Sequence, residues 1–142
     1  MADEMFAALE KIYSSRPWEA DEHLDAFEAV RDKLVNFEDE TRKRFLILGA
    51  RARRPDAFLK RQKEVWTLES LTHAFLAVRS FYKRHGRFPA SLDAIDRDLL
   101  AGPMTSGWTG RAMTLRLDGE RPLLSWDADG REAETDLSVL GG

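Results

Sequence analysis

Residues 84–95 read RHGRFPASLDAI, and they decide how the second half of the chain is built. A long amphipathic run ends there at Gly86, with Lys83, Arg84 and His85 in its last turn. Glycine takes the left-handed conformation that closes a helix, and basic side chains offset the carbonyl end of its dipole. Pro89 blocks resumption of the helix, and Ser91 is placed to cap a new one that runs to about Leu100.

Upstream of that stop, the pattern predicts one helix over about residues 56–84, opened by Pro55 in its first turn. Phe58, Val65, Leu68, Phe75, Val78 and Tyr82 mark its expected buried face, which Leu71 and Phe81 broaden. At nearly thirty residues it exceeds the ordinary globular length, so it projects, packs along earlier helices, or contains a break. Before it the text is helical as well. A short helix is expected over 3–13, with Met5, Phe6, Leu9, Ile12 and Tyr13 on one side. A second is expected from Ser15, as N-cap with Pro17 in the first turn, to about Phe37, with Leu24, Phe27, Val30, Leu34 and Phe37 at helical steps. The FLIL of residues 45–48 fits a buried helix or a short strand, and its helix-forming flanks favour the helix.

Downstream the texture changes. GPMTSGWTG (102–110) has a loop composition. RAMTLRL (111–117) and PLLSW (122–126) then have strand length and are joined at Asp118-Gly119, and a second Asp-Gly, Asp129-Gly130, precedes a last strand or tail. The expected fold class is therefore α+β: N-terminal helices (1–54), then a long helix packed on a small antiparallel C-terminal sheet (55–142).

Composition bounds the chemistry. The chain has 142 residues, a net charge of −3 and no cysteine, which excludes disulfides, thiolate metal sites and a cysteine nucleophile. No apolar run reaches membrane-spanning length. His23, His73 and His85 stand alone without metal-ligand spacing, and no serine lies in a nucleophile elbow or beside a phosphate-binding glycine loop. The expectation is a non-enzymatic protein. Residues 1–40 hold 12 acids against 4 bases, whereas residues 41–63 hold 9 bases against Asp56 alone. The basic block either pairs with those acids or meets an acidic partner; Arg51, Arg53 and Arg54 make it the nucleic-acid-contacting segment of an alternative reading, a cytoplasmic helical adaptor. After the second strand, Asp127, Asp129, Glu132, Glu134 and Asp136 are clustered. That composition suits either a calcium loop or a solvated Asp-Gly turn; it is not an EF-hand, since Ser138 stands where the twelfth-position glutamate belongs.

Three blocks in order, AVRSFYKRHGRFPASLDAI, LLAGPMTSGWTGRAMTLRL and LLSWDADGREAETDL, resemble the globular part of type IV pilin-like proteins, above all the major pseudopilin of type II secretion. Tyr82, Gly86, Arg87, Phe88, Pro89, Ser91 and Leu92 carry the first block. Gly102, Pro103, Thr109 and Gly110 carry the second, and Leu124, Ser125, Asp129, Gly130 and Asp136 the third. The likeness covers about residues 74–137. It implies a helix-plus-sheet fold, no enzymatic activity, and assembly through the long helix with pilin-like subunits or secretion components. It also implies calcium at the C-terminal loop. Asp129 and Asp136 carry over as ligands and Leu124 and Ser125 as carbonyl donors, with Asp127 beside them as a fifth candidate. Asp127 stands where the family has a glycine, Gly102 replaces the family's aspartate, and charged helices precede the long helix in place of a membrane-spanning one. The expected location is the periplasmic or extracellular side of a bacterial inner membrane with an anchor outside this chain, or the cytoplasm if the chain is complete.

Overall fold

The structure is a computed structural model that describes residues 2–35 and 55–142. Helix α1 spans Ala2–Ser14, α2 Asp21–Val35 and α3 Asp56–His85; strands β1 Thr114–Asp118, β2 Arg121–Ala128 and β3 Arg131–Asp136 form one antiparallel sheet in the order β1-β2-β3. The α+β class holds. Contacts divide the chain into two units, Met1–Arg61 and Gln62–Gly142, with the division inside α3 and not at its start. The FLIL segment, Phe37, and Arg51, Arg53 and Arg54 lie outside the described residues. Among the described residues, no helix is long and apolar enough to cross a membrane.

In the first unit, α1 and α2 bury Ala8, Ile12, Ala20, Leu24 and Phe27 around Leu59 from the start of α3. Tyr13 meets Phe58 edge-on, with centroids 4.9 Å apart. The predicted start of α2 needs correction. Ser15 does not cap it; its hydroxyl donates back to the Lys11 carbonyl and finishes α1. Pro17 opens a turn in which the Glu19 and Ala20 amides donate to the Arg16 carbonyl, so α2 begins only at Asp21. A hydroxyl beside a helix end can satisfy the carbonyls behind it as well as the amides ahead, and here the nearer helix takes it.

In the second unit, α3 lies on the sheet. Ala74, Ala77, Val78 and Phe81 of the helix share one core with Ile95, Met113, Leu115, Leu124 and Leu137. Leu115 and Leu124 are register partners and both are buried, while β2 is covered without alternation from Pro122 to Ser125. The Asp129-Gly130 step is a two-residue hairpin with φ of 44° and 80°, the primed geometry that matches strand twist. What precedes β3 is thus a tight turn, and the last segment is a strand and not a tail.

At the opening stretch, Gly86 has φ of +67° and its amide donates to the Tyr82 carbonyl at 2.8 Å, the helix stop the sequence predicts. The restart differs. Instead of one helix to Leu100, two single 3₁₀ turns form, Leu92–Ala94 and Arg97–Leu99, and Ser91 makes no side-chain cap. The reason is tertiary: Asp96 and Asp98 turn back toward the end of α3 and are held there by Arg84 and His85.

Candidate interaction surface

The expected buried face of α3 is the second correction, and it exposes the most informative surface of the molecule. Val65 and Leu68 point to solvent, at 43% and 61% exposure, and Leu76 joins them at 53%. The buried residues are Lys63, Thr67, Ser70, Ala74 and Ala77, together with Val78 and Phe81, which belong to the expected face and its broadening. At 100° per residue these two sets occupy opposite sides of the helix. Of the predicted stripe, Val78 is buried and Phe75 and Tyr82 only partly so, and they sit on the flank. The loop approaches the helix backbone closely at Lys63, whereas nearer the helix end Val78 and Phe81 fill the core beside Ala74 and Ala77.

The loop over residues 102–109 supplies that close approach. It runs antiparallel along α3 and is fastened at successive turns. The His73 Nδ1–H donates to the Pro103 carbonyl at 3.2 Å, and the Trp66 indole N–H to Thr105 Oγ1 at 3.0 Å. The Gly107 amide donates to Thr67 Oγ1 at 3.0 Å, while the Thr67 hydroxyl donates to the Lys63 carbonyl at 2.8 Å. A Cβ on Gly107 would stand 2.3 Å from the Lys63 carbonyl oxygen, so only glycine fits. The Lys63 ammonium lies 5.6 Å from the Trp108 ring centroid, a cation–π contact. Ser106 is fully buried and donates to the Asp127 carbonyl, which ties the loop to β2. His73 and Trp108 thus act as fasteners of this loop.

The end of α3 is fixed electrostatically. Arg84 donates to Asp98 at 2.8 and 3.1 Å and to Asp96 at 3.0 Å, and His85 Nε2 is 2.8 Å from the same Asp96 oxygen. The hydrogen bond from Arg84 holds the Asp98 carboxyl below the usual range. His85 first and Arg84 second do the same for Asp96. Asp98, then Asp96, raise the already high pKa of Arg84. All of these groups lie at the solvent boundary, where such pairs contribute little stability each and mainly fix geometry. Beside them a cleft of about 340 Å³ is lined by Tyr82, Gly86, Arg87, Phe88, Leu117 and Glu120.

The five calcium candidates are not brought to one point. Leu124 and Ser125 are buried in the middle strand, whose backbone is paired on both sides. Asp127 accepts from Thr109 Oγ1 at 2.7 Å, with Arg111 3.9 Å away. Asp129 is in the hairpin turn, whereas Asp136 ends β3 beside Arg121 and accepts from the Ser138 hydroxyl and amide, which lower its pKa. The length of β3 separates the two aspartates by roughly 16 Å at about 3.3 Å per residue, far beyond a calcium shell of about 2.3–2.6 Å radius. Among the described residues no group of three or more acids and histidines is placed to hold a metal.

Sequence reasoning missed the outward stripe Val65, Leu68 and Leu76 because it weighed apolar size alone. The signal was present in Ser70, Ala74 and Ala77, a row of small residues at helical steps that marks the close-packed side. No family model matches the chain, and neither a curated protein nor a solved structure matches it.

Proposed function

We propose that this chain is a pilin-like, non-enzymatic interaction domain of a bacterial envelope or secretion-related protein, and that it engages other proteins through the outward face of α3. One observation carries the reading. A continuous helix is buried on its small-residue side by a meander sheet and a laced loop, yet its other side carries large apolar residues at 43–61% exposure. Burying a leucine is worth about 1.5–3 kcal/mol, and contiguous exposed apolar residues mark contact surfaces. The order of break, loop and Asp-Gly hairpin supports the pilin-like part of the reading. The proposed role does not call on calcium, whose five candidate ligands are spread over β2, the hairpin turn and the end of β3.

The test is photo-crosslinking in the native host, with a reactive side chain placed at Leu68 or Leu76 and, as control, at Glu132 on the exposed edge strand. Discrete protein adducts from the helix positions and none from the strand position are expected. Adducts from neither helix position would overturn the assignment of α3 as the contact surface.

A further inference from the structure

We draw no further inference here: the strongest candidate, the outward apolar face of α3 at Val65, Leu68 and Leu76, carries none, because nothing in the structure shows what covers it.

Discussion

Thr67 and Thr72 lie little more than a turn apart on α3, and each donates its hydroxyl to the carbonyl four residues back, at 2.8 and 2.9 Å. Thr67 is buried and also accepts the Gly107 amide, while Thr72 is exposed and does no more. The same contrast runs along the helix. Ser70, Ala74 and Ala77 are buried, and Leu68 and Leu76 are not. Large apolar side chains therefore do not by themselves state which way α3 faces. The inward side is defined by how near another backbone comes, and nearness selects small residues and hydrogen-bonding hydroxyls.

That contrast can be broken from either face. The largest expected effect is Leu124→Ala, which leaves a cavity beneath α3 and costs about 3 kcal/mol in urea unfolding, whereas Leu68→Ala on the outward face shifts stability by less than about 0.5 kcal/mol. Equal costs would mean that Leu68 is covered in solution. Next comes Gly107→Ala, whose methyl would overlap the Lys63 carbonyl. The loop must lift, at about 2–3 kcal/mol, and amide exchange should quicken at Gly107 and Trp108 before the core strands open.

The two threonines make a finer comparison. Thr67→Val removes the acceptor for a buried amide and is expected to cost about 1–2 kcal/mol, against about 0.5 or less for Thr72→Val. Matching values from the two denaturation curves would reject the lacing of the loop through Thr67.

Smaller still is the response to acid at the end of α3. Carboxyls with depressed folded-state pKa contribute stability that is complete above the unfolded value near pH 4 and drains away as pH falls through the folded value. Asp96 and Asp98 are such groups. In a carbon-detected titration, Asp98 should therefore protonate at lower pH than an ordinary aspartate, and Arg84→Gln should move it back up. A midpoint indifferent to Arg84→Gln would show that the ion pair does not persist in solution. The smallest expected effect is none. Melting curves in excess chelator and in millimolar calcium should coincide, because the five candidate ligands are spread along the hairpin and β2; an upward shift in calcium would show that the loop rearranges around the ion.

Much of the architecture was legible in the sequence because it is written locally. Gly86 with Pro89 stops α3, and Asp118-Gly119 and Asp129-Gly130 make the two hairpin turns; each depends on residues within a few positions. The Ser15 cap and the 91–100 helix were not legible. A hydroxyl at a helix boundary serves either neighbour, and a short helix gives way when Arg84 and His85 recruit its aspartates. The candidate site was legible only in part. Its helix and its apolar residues were visible, but their direction was not. Of the two readings of the acidic cluster, the Asp-Gly turn is the one the structure forms, with Asp129 and Asp136 divided by the length of β3.

By itself the sequence determined the elements, their turns and the α+β class, since these follow from backbone preferences and short-range periodicity. Only the tertiary structure decided which side of α3 is covered. A helix with apolar residues on both sides has no intrinsic inside, and the choice falls to the face whose small side chains and hydroxyls let a sheet and a glycine loop come closest. Leu68 and Leu76 were left outside by that choice.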